Sequence, residues 1–240
     1  MLQHARTLIG GSFALTACGL LTVHGVFAVH AAAGEKWQNA LNSTTGLVMH
    51  GVQASIATHK GQQAVRLVED PRAPKPEGYA LVTGPALKDG TIEVDVAGHP
   101  GSGANEAARG FIGMAFRVRS DDSAFECFYL RPTNGRADDQ LRRNHSTQYI
   151  SFPDFPWEKL RQENPGVYES YVDLMPSEWT HVRIEFRDRR AELYVNRTPQ
   201  PVLIVKDLKL APASGGVGLW LGAGTEGFFR NLTVTSSSTQ

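Results

Sequence analysis

Apolar and polar residues alternate in short runs along most of this chain. In the stretch 91–96, Ile92, Val94 and Val96 interleave with Glu93 and Asp95, so a strand there has one apolar and one acidic face. Similar β-rich runs occur at 64–68, 79–82, 111–119, 124–131, 179–186, 191–195, 202–205, 216–221 and 227–234. Gly, Pro, Asn and Asp separate them, and no long run repeats with the helical period of 3.6. Ten strands of this kind predict an all-β fold, a two-sheet antiparallel β-sandwich of the jelly-roll type. The turns agree: Lys88-Asp89-Gly90 and Ser214-Gly215-Gly216 introduce strands, and Arg187-Asp188-Arg189 closes a hairpin. The domain is expected to span 34–235, followed by a frayed polar tail over 236–240.

One segment breaks this rhythm. Residues 132–176 show no convincing strand pair, yet they carry Tyr149, Phe152, Phe155, Trp157, Tyr168 and Tyr171 among charged residues. Disordered segments are poor in aromatics, so a loop packed over one sheet face is the better reading. Flat aromatic faces bordered by polar groups suit a sugar, with its C–H ring faces and hydroxyl rim. Trp157, Tyr149, Tyr168 and Tyr171 are the candidate platforms, and Arg142, Arg143, Asn144, Gln148 and Asp173 the candidate polar partners. The plainer reading makes the aromatics a satellite core and leaves the arginines in solvent.

Strand 124–131 places Glu126, Phe128 and Leu130 on one face and Phe125, Cys127, Tyr129 and Arg131 on the other. Glu126 is then either an edge residue or a partly buried carboxylate needing a cation, which Arg142 or Arg143 is expected to supply. On the second reading, removing one of those arginines should cost clearly more than about 1 kcal/mol. Glu126 is also the first carboxylate to consider for catalysis, with Tyr129, Arg131, His145 and Asp173 around it. Glu93 and Asp95 form a second pair, which strand alternation explains equally well.

Charge excludes some partners. The chain has 24 Lys plus Arg against 24 Asp plus Glu, so no long-range field draws it to nucleic acid or an anionic membrane. Residues 1–33 are of another kind: 7–29 hold no charged residue, and Ala31-Ala32-Ala33 offers an A-x-A cleavage site. They read as a signal peptide, which implies export to a periplasmic or extracellular location and no membrane attachment after cleavage. An uncleaved anchor, and a lipid-anchored form through Cys18 in Leu15-Thr16-Ala17-Cys18, are the alternatives. Removal of 1–33 leaves Cys127 as the one cysteine, so no internal disulfide forms. His59, His99, His145 and His181 are scattered and no metal motif occurs, so no metal or cofactor is expected, and calcium has no supporting motif.

Several motifs are familiar: Gly90-Thr91-Ile92-Glu93-Val94-Asp95-Val96, Gly113-Met114-Ala115-Phe116-Arg117, Glu178-Trp179-Thr180-His181-Val182-Arg183-Ile184, Ala191-Glu192-Leu193-Tyr194-Val195-Asn196 and Gly227-Phe228-Phe229-Arg230-Asn231-Leu232. Together they resemble the concanavalin A-like lectin/glucanase superfamily, nearest to laminin-G-like modules and the 3-keto-disaccharide hydrolase domain. The resemblance implies a lectin-like domain that recognises a glycan on a concave sheet face. It also leaves open a hydrolase acting on a modified sugar such as a 3-keto-glycoside, and a cell-surface protein-interaction module. Phe125-Glu126 and Arg117 match the hydrolase pattern, whereas Phe128 stands where that family carries a polar residue. The glucanase E-x-D-x-x-E signature is incomplete, because Val96-Ala97-Gly98 follows Glu93 and Asp95 without a second Glu.

Overall fold

A computed structural model describes residues 34–74 and 78–237. The expected signal segment 1–33 lies outside the described residues. The strands, in chain order, are β1 (Lys36–Asn39), β2 (Leu47–His50), β3 (Val52–His59), β4 (Gln62–Glu69), β5 (Gly78–Leu87), β6 (Gly90–Pro100), β7 (Ile112–Val118), β8 (Phe125–Leu130), β9 (Thr147–Phe152), β10 (Glu169–Ser170), β11 (Thr180–Arg187), β12 (Arg190–Val195), β13 (Leu203–Val205), β14 (Gly215–Leu221) and β15 (Thr225–Ser236). Helix α1 spans Gln140–Asn144 and α2 spans Trp157–Glu163. One sheet runs β13-β12-β11-β6-β15-β4-β3, with β1 also on β15, and the other runs β10-β9-β8-β7-β14-β5-β2.

Each pairing between these strands is antiparallel, and the two sheets face each other across the core. The alternation in β6 is realised as expected: Ile92, Val94 and Val96 are buried, while Glu93 and Asp95 point away from the core. Across the layers, Phe116 of β7 packs on Phe186 of β11 at 4.7 Å between ring centroids.

All ten expected strands are present, and five more appear. β1, β2 and β10 are only two to four residues long, too short to show a period. β3 is an edge strand in which Val52 alone is buried, and its apolar residues Val52, Ala54, Ile56 and Ala57 keep no strict alternation. In contrast β9, Thr-Gln-Tyr-Ile-Ser-Phe, is buried on both faces, so it shows no polar alternation. Its pairing with β8 and β10 corrects the expectation that 132–176 holds no strand pair. The tail is also corrected: β15 continues through Ser236, Thr235 pairs with Lys36 of β1, and Ser237 donates its N–H to the Asp89 carbonyl at 2.9 Å. These backbone bonds order the chain through 237.

Candidate functional site

The site begins with β8. Phe128 stacks on Phe116 in the core, so Glu126, Phe128 and Leu130 point between the sheets, and Tyr129 and Arg131 point outward. Strand register extends that outward position into a row across the second sheet: Tyr79 opposite Trp220, Trp220 opposite Gly113, Gly113 opposite Tyr129, Tyr129 opposite Gln148, and Gln148 opposite Glu169. Gly113 has no side chain, so the rings of Tyr129 and Trp220 meet over it, stacked at 4.7 Å. A Cβ at Gly113 would come within 2.1 Å of the Phe128 carbonyl oxygen and 2.7 Å of the Tyr129 Cβ, so only glycine fits there.

Three segments wall this row. The loop preceding β7 brings Arg109 and Phe111, α1 brings Arg142 with His145 just after it, and α2 brings Trp157 and Arg161. The Asp139 side chain caps α1 by accepting the Arg142 N–H at 2.8 Å, and α2 starts directly after Pro156. A cleft of about 430 Å³ results. Trp157 is 37% exposed at its mouth.

Arg131 is buried beneath this opening. Its guanidinium donates to Tyr129 Oη at 2.9 Å, Gln148 Oε1 at 3.1 Å and the His145 carbonyl at 3.1 Å. It also lies 5.1 Å from the Tyr129 ring centre and 5.6 Å from that of Trp157. Arg161 sits 4.5 Å from the Trp157 ring centre and forks onto Glu169, with Nε 3.0 Å from Oε1 and a terminal nitrogen 2.6 Å from Oε2. His145 Nε2 meets the same carboxylate at 3.1 Å, and Arg131 stands 3.8 Å from it. Burial pushes the His145 pKa down, with Arg161 and Arg131 adding to the effect and Glu169 opposing it. His145 is therefore neutral at neutral pH.

The structure brings Tyr129, Arg131, Arg142, His145 and Trp157 together along the cleft, with Gln148 bonded beneath them. It separates the others. Tyr149 is fully buried on the core side of β9. The Tyr168 hydroxyl donates to Asp207 at 2.6 Å, away from the cleft. Arg143 lies over the exposed Tyr171 and donates to its hydroxyl at 3.0 Å, and Asn144 shares that neighbouring hollow. Asp173 pairs with exposed Arg136 at 2.7 and 2.8 Å.

The expected pairing of Glu126 is corrected. Glu126 is fully buried between the sheets, where it accepts from Tyr149 Oη at 2.6 Å and the Leu210 N–H at 2.8 Å, and neither Arg142 nor Arg143 reaches it. That position turns its carboxyl away from the cleft and from any ligand held there. Burial pushes its pKa up, and the hydrogen bonds from Tyr149 and Leu210 partly oppose this. Arg117, which matches the hydrolase pattern, is held at a bulge with φ of 51° and binds the carbonyls of Lys88 and Asp188 and the carboxylate of Asp89. Asp95 likewise serves its own sheet, bonding His181 and Asn231 at 2.9 Å each.

Sequence reasoning missed Arg109, Phe111, Arg161, Glu169 and Trp220. Trp220 had a readable signal, since alternation in β14 sets it on one face with Gly218. Nothing in the sequence tells that β14 lies beside β7. Among the described residues, no group of three or more His, Cys, Asp or Glu side chains is placed to hold a metal ion.

No protein-family model matches the chain, and no curated protein matches it. Solved structures do. A Bacillus subtilis protein of unknown function with a galectin-like fold superposes with a TM-score of 0.56 at 12% identity, over 85% of this chain and 96% of that one. The carbohydrate-binding module CBM66 from Bacillus subtilis gives 0.50 at 15% identity, over 78% and 97%. The exoplasmic/lumenal domain of VIP36, in a Ca²⁺- and mannose-bound form, gives 0.50 at 14% identity, over 79% and 83%. The fold is a concanavalin A-like jelly roll. Within this jelly roll the cleft lies on the outer face of the sheet that carries β8.

Proposed function

We propose that the chain is an exported, lectin-like protein that binds a carbohydrate in the cleft over β8, β7 and β14. The observation that carries this reading is Trp157, partly exposed over the Arg131 and Arg161 guanidiniums and beside the stacked Tyr129 and Trp220. An aromatic face next to fixed donors complements a sugar ring, whose C–H face packs and whose hydroxyls accept. The fold is shared with a carbohydrate-binding module and with the VIP36 exoplasmic/lumenal domain in its Ca²⁺- and mannose-bound form, which supports the reading by analogy. Export, to a periplasm or the cell exterior, is proposed from the character of residues 1–33.

Binding is favoured over hydrolysis by the side chains present. Most glycosidases need two carboxyl groups flanking the bond. The side chains lining the cleft include no carboxylate, and Glu169 behind them is locked by Arg161 and His145. A screen of the full chain against a broad glycan panel tests the proposal, and binding to none of the panel overturns it. Trp157→Ala should weaken the glycan found by roughly five- to tenfold, the size of one lost aromatic contact. Its unfolding free energy should change by less than about 1 kcal/mol, because the residue is partly exposed on the first turn of α2. A variant that melts far earlier would make Trp157 a packing residue instead.

A further inference from the structure

The chain as a whole is neutral, but the cleft is not. Arg109, Arg131, Arg142 and Arg161 all line it, with no Asp or Glu side chain among the lining residues. One carboxylate, Glu169, lies behind them, and its oxygens are taken by Arg161, His145 and, more distantly, Arg131. It balances one guanidinium charge of the four. His145 adds no positive charge at neutral pH, since burial lowers its pKa.

The two remaining arginines both line the cleft beside the 132–134 turn, Arg109 through its carbonyl on the Thr133 N–H and Arg142 through its side chain on Asn134, and neither is paired with a carboxylate. The Arg109 side chain donates only to carbonyls, those of Glu106 and, at 3.0 Å, Ala108. Arg142 reaches Asn134 Oδ1 at 3.5 Å, a long contact, and neither arginine forms an ion pair among the described residues. Burial lowers the Arg109 pKa, and the positive charges of Arg142 and Arg131 lower it further, which is the sign of cations crowded about one space. Such crowding is unfavourable and is relieved by an anion placed between them.

Resting on the carbohydrate reading, we infer that the cleft selects a saccharide bearing an anionic substituent, a uronate carboxylate or a sulfate ester, held between Arg109 and Arg142 while Trp157 packs on its ring. Both anions present oxygen pairs that match a guanidinium fork. Arg109 is half-buried and Arg142 exposed, so either can be replaced without opening the core.

Calorimetric titration of the full chain tests this with four probes: a galacturonate trisaccharide, its methyl ester, a 6-sulfated galactose oligosaccharide, and the unsulfated parent. At least one charged probe should bind about tenfold or more tighter than its neutral counterpart, and raising salt should erase most of that advantage. Arg109→Gln and Arg142→Gln should each lower the affinity for the charged probe several-fold and that for the neutral one by a clearly smaller factor, so that the charged-to-neutral ratio falls. Preference for uronate or for sulfate supports the inference and names the anion. Equal binding of charged and neutral probes, lost together in Trp157→Ala, overturns the anionic preference and leaves the carbohydrate reading standing. No binding to these probes or to the wider glycan panel overturns both.

Discussion

Two buried glutamates in this molecule are stabilised in opposite ways. Glu126 on the core side of β8 and Glu169 on the outer side of β10 are 0% and 6% exposed. Neutral donors satisfy Glu126, namely the Tyr149 hydroxyl and the Leu210 amide. Cations satisfy Glu169: Arg161 in a fork and Arg131 beyond, with the neutral ring of His145 completing the set. Among apolar walls, a carboxylate with no cation in contact is pushed toward its neutral form, as Glu126 is, and the charge of Arg117 opposes this less than the hydrogen bonds do. At a cleft wall the carboxylate instead fixes the arginines that a ligand would meet. Burial alone therefore says little about function, and the charge of the partners separates a structural carboxyl from a site-building one.

The largest effect expected from breaking this contrast is at Glu169. Glu169→Ala would leave Arg131 and Arg161 facing each other with no carboxylate. Losing one partner of a buried ion pair costs about 3 to 5 kcal/mol, and the partial exposure of Arg161 sets this case near the lower end. Urea unfolding measures it, and a loss under about 1 kcal/mol would show that Glu169 is not a keystone of the cleft. Tyr149→Phe comes next. It removes the donor to Glu126 and the acceptor of the Lys209 N–H at 2.9 Å, for an expected loss of about 1 to 3 kcal/mol.

Glu126→Gln sharpens the comparison through pH. The folded pKa of Glu126 lies above its ordinary 4.5, so the native state takes up the proton first. Stability from this group is fully present below 4.5 and is lost as pH rises through the folded value. The Gln variant lacks that dependence. Parent minus variant stability should therefore shift in favour of the parent as pH falls from neutral toward 4.5. A shift in the other direction would mean that a cation, not burial, governs Glu126.

How much of this was legible in the sequence differs between the two glutamates. Alternation along β8 sets Glu126 with Phe128 and Leu130, and the structure keeps that grouping. Its partner was hidden because Tyr149 arrives through the β8–β9 register, in which Phe128 faces Tyr149 and Glu126 faces Ser151. A strand buried on both faces gives no period to read. The cleft was legible in parts: Trp157, Arg131, Arg142 and His145 come from the aromatic-rich segment and its flank, whereas Trp220 enters through sheet order. Sheet order is a long-range property, and strand patterns constrain it only loosely.

The smallest effects should come from Arg142 and Arg143, where the sequence had suggested a large one. That expectation required one of them to neutralise Glu126, but Glu126 lies between the sheets and Tyr149 fills the role. Arg142 is exposed on α1 with a single long contact to Asn134, and Arg143 lies on the exposed Tyr171 ring at the surface. An exposed cation over an aromatic ring is worth about 0.5 to 1 kcal/mol, and an exposed charge without an ion pair contributes less. Arg143→Ala should therefore lower stability by at most about 1 kcal/mol. Arg142→Ala should leave stability unchanged or raise it slightly, since it relieves the repulsion with Arg109. Equilibrium unfolding at low and high salt checks both, because a gain from relieved repulsion shrinks as salt screens it. A clear loss in Arg142→Ala at low salt would mean that an anionic group already holds Arg142 in place. The cleft would then be less cationic than its wall suggests.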